Sequence, residues 1–221
     1  MSQTEVQLIK SSSVVDDDIV GMSSSKLSGT LPAVSGANLT NLPAANLTGA
    51  LPAISGANLT GISAGISEAD LWRVNAGLNS PVNGAYVTAN WERADTDGFT
   101  KIGTGMTESS GNFSFPSTGI YLISWAGWAY TQSSDHTVGI NISVTQDGAS
   151  NWTTASGTYF SIPNVDTYSY NNAYTETVFD VTNTSTHRVR FYLYASSSGV
   201  TWDAGTNSNN VYAKFIRLGD T

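Results

Sequence analysis

Apolar and polar positions alternate along two stretches of the second half of the chain. Val138, Ile140, Ile142 and Val144 interleave with Gly139, Asn141, Ser143 and Thr145, and Val189, Phe191 and Leu193 interleave with Arg188, Arg190, Tyr192 and Tyr194. A period of two puts one set of side chains in a core and the other on a wetter face, as antiparallel strands do. Turn-forming runs separate such stretches: Asp97-Gly98, Ser110-Gly111-Asn112, Asp147-Gly148 and Ser196 to Gly199. From about Trp72 onward the pattern predicts an all-β sandwich or jelly roll of many short strands.

One predicted strand breaks the alternation. Between Ile120 and Tyr130, Tyr121, Ile123 and Trp125 fall on one face, and Leu122, Ala126, Trp128 and Tyr130 on the other. A strand that is apolar on both faces needs a second covering surface, and another copy of the chain is the economical source. Tyr121, Trp125, Trp128 and Tyr130 are therefore the expected contacts between subunits.

The first part of the chain has a different pattern. Residues 1–71 contain no Phe, Trp or Tyr, and every aromatic lies between Trp72 and Phe215. Such a segment cannot easily bury enough apolar area by itself to offset its ordering entropy. Within it, Leu27-Ser-Gly-Thr-Leu31-Pro-Ala-Val-Ser-Gly-Ala-Asn-Leu39-Thr40 recurs 20 residues later as Leu47-Thr-Gly-Ala-Leu51-Pro-Ala-Ile-Ser-Gly-Ala-Asn-Leu59-Thr60. Aliphatic residues every three to five positions would suit a helix, but Gly29, Pro32, Gly36, Pro43, Gly49, Pro52 and Gly56 break one. A fixed period of aliphatic knobs with small residues between them predicts an intertwined fibre shaft, with Leu31, Leu39, Leu51 and Leu59 on its axis. The competing reading is a flexible Gly/Ser/Ala/Asn linker, which has no reason to keep Leu and Pro in register. Fully extended, residues 27–62 would reach at most roughly 120 Å. The expected division is an anchor over 1–26, a shaft over 27–69 and a β-sandwich head over 70–221. Asp16-Asp17-Asp18 in the anchor reads as a solvated turn.

Composition narrows the function. Charged residues make up 12% of the chain, the net charge is −8, and the nine Lys and Arg are scattered, so no basic stripe is available for nucleic acid. The absence of cysteine excludes disulfides and thiol chemistry. The start has no signal-peptide pattern, and no stretch approaches the ~20 apolar residues of a membrane span. Those features lead to an expectation of assembly inside a host cytoplasm and no membrane insertion.

Candidate chemistry is sparse. His136 and His187 lack partners at metal-ligand spacing and read as ordinary surface residues. The carboxylate pairs Glu92 with Asp95 and Glu176 with Asp180 read as turn and surface acids rather than a glycosidase pair. No catalytic residue, metal site or cofactor is expected. What remains is aromatic: Trp152, Tyr159, Tyr168, Tyr170, Tyr174 and Trp202 sit beside turn-rich segments with Asn, Asp and Ser. Flat rings next to amides suit recognition of carbohydrate or protein, and packing within the sandwich is the competing reading. Tyr168, Tyr170 and Trp202, in the most polar surroundings, are the expected receptor contacts.

Gly111-Asn-Phe113-Ser-Phe115-Pro116-Ser-Thr-Gly119-Ile-Tyr121 resembles the signature of the C1q/TNF-like jelly roll. Val211 to Asp220 is similar to that family's closing strand, and Asn90 to Asp95 also fits. The resemblance covers residues 72–221 and implies a homotrimer at the end of a stalk. The stalk is not a Gly-x-y repeat; the Leu-Pro-Ala-(Val/Ile)-Ser-Gly-Ala-Asn-Leu-Thr unit resembles shafts of bacteriophage fibres. Together these resemblances imply a non-enzymatic, homotrimeric tail or head fibre on a virion surface. Residues 1–26 would bind another virion protein, and the head would bind host-surface carbohydrate or protein. A capsid decoration or cement protein without receptor binding is the alternative. A soluble C1q-like ligand or a bacterial adhesin comes after it.

Overall fold

The computed structural model describes residues 65–79, 83–132, 136–163, 165–196 and 198–221. The anchor, the repeat with Leu31, Leu39, Leu51 and Leu59, and the Asp16 to Asp18 run lie outside the described residues. The His136 side chain does too.

The described chain is thirteen strands: β1 (Ala69–Val74), β2 (Ala76–Asn79), β3 (Ala85–Tyr86), β4 (Trp91–Arg93), β5 (Thr107–Ser109), β6 (Asn112–Ser114), β7 (Gly119–Thr131), β8 (His136–Thr145), β9 (Thr153–Ile162), β10 (Ser169–Val181), β11 (Arg188–Ala195), β12 (Val200–Gly205) and β13 (Val211–Gly219). They form two antiparallel sheets. In the first, long β7 pairs with β10 along one edge. Its other edge is shared by β13, which leads on to β1 and β4, and by β12, which leads to β2. The second sheet runs β5-β6-β11-β8-β9, with β3 also on β11. The chain crosses between sheets from β2 to β3, β3 to β4, β4 to β5, β6 to β7, β7 to β8, β9 to β10, β10 to β11 and β11 to β12. The result is the two-sheet jelly roll that the alternation predicts.

The motif residues earn their places by packing. Ser110 and Gly111 both have positive φ (51° and 82°) and join β5 to β6 by a two-residue turn that suits the twist of a hairpin. A Cβ on Gly111 would also lie 2.3 Å from the Val87 carbonyl oxygen, so glycine is required twice over. Phe113, Phe115 and Tyr121 all point inward. Phe113 meets Trp72 and Trp91 edge-on at 5.4 and 4.9 Å, and Trp91, Trp125, Phe191 and Phe215 complete the ring cluster between the sheets. The Tyr121 hydroxyl donates to the Ser117 carbonyl (3.0 Å), and burial raises its pKa.

The N-terminal strand is held by charge as well as by its ladder. Asp70, 4% exposed, accepts from Trp72 Nε1 (2.8 Å), Met106 N (2.8 Å) and the Arg93 guanidinium. Fully buried Arg73 pairs with Glu92 at 3.0 Å. Hydrogen bonds from Thr206 and then Arg73 hold the Glu92 carboxyl below its ordinary pKa.

Two expectations are corrected inside this core. Tyr121 and Trp125, placed between subunits by the sequence pattern, are 1% and 0% exposed within a single chain: they lie on the inward face of β7. Their core is supplied by the second sheet, so they need no partner chain. His187 is also buried (4%), held by Thr182 and Thr186 hydroxyls at 3.3 and 3.1 Å and packed on Phe179. Its position in the turn entering β11 turns the ring inward against Phe179 instead of onto the surface.

Candidate functional site

The outward face of β7 carries Ile120, Leu122, Ser124, Ala126, Trp128 and Tyr130. Register on either side extends this surface. Tyr130 lies opposite Tyr170 and Thr201, Ala126 opposite Tyr174 and Tyr212, and Leu122 opposite Val178 and Ile216. Trp128, Tyr168, Tyr170, Tyr174 and Val178 are 41–59% exposed. Their rings gather at one end: Trp128 to Tyr170 at 5.4 Å, Tyr130 to Tyr168 at 5.6 Å and Tyr130 to Tyr170 at 5.3 Å. Beside them a cleft of about 230 Å³ is lined by Trp128, Asn172, Tyr174, Asn209, Asn210 and Tyr212. Asn209 keeps a buried Oδ1 with no hydrogen-bond partner. Such a continuous aromatic and aliphatic sheet face is unusual on a protein that works alone.

This geometry joins residues that the sequence reading separated. Tyr168 and Tyr170, expected at a receptor, share one patch with Trp128 and Tyr130, expected between subunits. Trp202 does not join them. It is 0% exposed, paired with Ala129 on β7, and its indole fills the space over Gly127, where a Cβ would lie 2.5 Å from the ring. The polar run around it belongs to the loops flanking β12, while Val200 and Trp202 themselves alternate inward. The expected receptor role of Trp202 is therefore overturned.

The outward face of the second sheet carries a second aromatic group. Tyr159, Gly139 and Tyr194 form one row across β9, β8 and β11; Gly157, Asn141, Tyr192 and Tyr86 form the next; Ser143 and Arg190 the third. Tyr86 and Tyr192 meet edge-on at 5.1 Å, and Tyr159 and Tyr194 at 5.5 Å. The sequence offered Tyr159 and Trp152 as candidates here but no sign that Arg190 joins them.

Another cleft, of about 470 Å³, is lined by Val144, Thr145, Gln146, Asp147, Asn151, Thr153 and Phe179. Asp147 is fully engaged there. Hydrogen bonds from the Asn151 backbone, the Thr145 hydroxyl and the Asn151 amide hold its pKa at about 2. That carboxylate fastens its own loop, taking three hydrogen bonds on Oδ1 and one on Oδ2. Glu176 accepts from Tyr174 Oη at 2.6 Å. Among the described residues no group of three or more His, Cys, Asp and Glu is placed to hold a metal ion.

No protein-family model matches the sequence, and no curated protein does. Solved structures with a similar fold include murine APRIL at pH 5.0, 17% identical, with 68% of this chain and 99% of that chain covered and a TM-score of 0.48. Another is Eiger TNF from S. frugiperda, 12% identical, with 69% and 93% covered and a TM-score of 0.49.

Proposed function

We propose that the jelly roll is the self-associating head of a non-enzymatic, homotrimeric attachment fibre of a virus particle. Residues 27–69 would form its shaft and residues 1–26 its anchor to another virion protein. The observation that carries the reading is the outward face of β7, β10 and β13. Trp128, Tyr170, Tyr174 and Val178 are exposed there, and Leu122, Tyr130 and Ile216 lie half-buried beside them. A second and third copy of the chain are the occupants that fit. The same strand motif that resembles trimeric C1q-like heads leads into β7, and the 20-residue repeat, read as a shaft, would bury its leucines against partner chains. Around a three-fold axis each copy would cover the apolar face of the next.

Mass measurement on the full chain tests the association. Light scattering at micromolar concentration is expected to give three times 23.3 kDa, and a stable monomer would sink the reading. The attachment part is tested by adding the purified full chain to host cells before the particles. Competition for adsorption is expected; particles that adsorb equally well leave the trimer as decoration only.

A further inference from the structure

The second sheet's outward face holds a cation in an unusual setting. The Arg190 guanidinium lies 3.5 Å from the centroid of the Tyr86 ring and 3.9 Å from that of Trp152, so both of its flat sides are covered. Its Nε is buried with no partner. Among the described residues the Arg190 side chain has no hydrogen bond and no ion pair, unlike Arg73, Arg93 and Arg217, which each hold a carboxylate. What remains to meet a ligand is the edge of the planar fork, where the two Nη groups reach solvent. A guanidinium fixed in this way has little rotamer freedom left to lose, and its edge matches the two oxygens of a carboxylate or the oxygens of a sulfate.

Next to that edge the face is built flat. Tyr159 lies down on the sheet because β8 has glycine opposite it: a Cβ on Gly139 would stand 2.3 Å from the Tyr159 ring. Asn141 lies down for the same reason, since a Cβ on Gly157 would stand 2.0 Å from its Oδ1. Asn141 Nδ2 then donates to Tyr159 Oη at 3.1 Å. Tyr192 Oη donates to the Asn83 carbonyl at 2.7 Å, and Tyr86 Oη is 3.3 Å from Ser143 Oγ. Tyr159 remains 55% exposed. Burial, and the neighbouring tyrosines Tyr159, Tyr86 and Tyr194, raise the Tyr192 pKa, so its hydroxyl stays protonated through neutral pH. Alternate residues of a strand are about 6.6 Å apart, so the three rows cover about 13 Å. Flat rings, fixed hydroxyls and amides suit sugars, which carry C–H faces and hydroxyl edges on the same ring.

We infer that this face binds an acidic polysaccharide. Sugar rings would stack along Tyr159, Tyr194 and Tyr192, and one carboxylate or sulfate would sit on the edge of Arg190. Charge selects the occupant: among the described residues no carboxylate lies within ion-pair distance of this cation. The inference names the ligand for the attachment reading above and rests on it. It also assigns recognition to the face opposite the one proposed for association, so that both can act at once.

Affinity electrophoresis of the full chain tests it, with alginate as a polyuronate, dextran sulfate as a sulfated glucan and dextran as a neutral control. Retardation by one or both acidic polymers and not by dextran is expected, and the acidic polymer that retards identifies the anion. Arg190→Gln is expected to weaken that binding about tenfold, the loss of a charge-assisted contact, and Arg190→Lys to restore it only in part. Tyr159→Ala, at an exposed position that leaves the fold intact, is expected to weaken binding without changing the preference for acid. Equal binding of dextran, no binding of either acidic polymer, or an unchanged affinity in both Arg190→Gln and Tyr159→Ala overturns the site. Light scattering on the same samples separates the two readings. A trimer that binds neither acidic polymer refutes this site and leaves the fibre, while a monomer that binds alginate refutes the fibre and leaves this site.

Discussion

The sandwich has two outward faces, and both are aromatic. On the first, around β7 and β10, Trp128, Tyr130, Tyr168 and Tyr170 stack on one another, and the patch runs on into Leu122, Val178 and Ile216. On the second, around β8 and β11, no large aliphatic side chain continues the surface. The hydroxyls of Tyr86, Tyr159 and Tyr192 each have a protein partner, and Gly139 leaves room for the Tyr159 ring to lie on the sheet. Exposed aromatic area alone does not separate a surface made for burial from one made for a wet ligand. Aliphatic neighbours do, because they gain only from losing water, whereas pinned hydroxyls keep their polar groups satisfied with water present.

Trp128 carries the largest expected effect on the first face. Trp128→Asp puts a charge into the face proposed for association and is expected to reduce the mass in light scattering to one third, with the saccharide face unaffected. A trimer of unchanged melting temperature would contradict the assignment of that face. Trp202 provides the next largest effect and a control that belongs to neither face. As a buried core residue, Trp202→Ala is expected to cost about 3–5 kcal/mol in denaturant unfolding, where loss of a surface contact would cost almost nothing.

Gly139→Ala sharpens the second face. Its methyl group would meet Tyr159, so it is expected to destabilise by about 1–3 kcal/mol, to lift the ring and to leave the oligomeric state alone. The smallest effect concerns pH. Asp147 fastens the loop whose Ala149 carbonyl accepts from Trp152 Nε1 at 3.2 Å, and Trp152 covers Arg190. The Asp147 carboxyl has a depressed folded pKa, so its contribution is present above the ordinary value of 3.8 and lost as pH falls towards about 2. The Trp152 indole resonance is expected to shift over that window in the parent protein and not in Asp147→Asn.

Much of the fold was legible in local pattern. The alternation at 138–144 and 189–193 marked β8 and β11, and the Gly111 to Tyr121 motif marked the hairpin and the entry to β7. Trp202 was misread because composition within a few residues measures a loop's polarity, while burial depends on which strand lies opposite, here the one with Gly127. Tyr168 and Tyr170 were separated from Trp128 and Tyr130 because the β7–β10 register joins them across some forty residues of chain. The sandwich around Arg190 was not legible at all, since its two rings come from β3 and from the loop before β9.

By itself the sequence determined the aromatic boundary at Trp72, the 20-residue repeat before it, and the alternating strands after it. These are local regularities, and periods of two and twenty are written directly in the order of residues. Only the tertiary structure decided which face of β7 is core, which aromatics share a surface, and where an unpaired cation meets them. Those outcomes depend on register between strands distant in sequence, and a shift of one residue would have exchanged every inward side chain for an outward one.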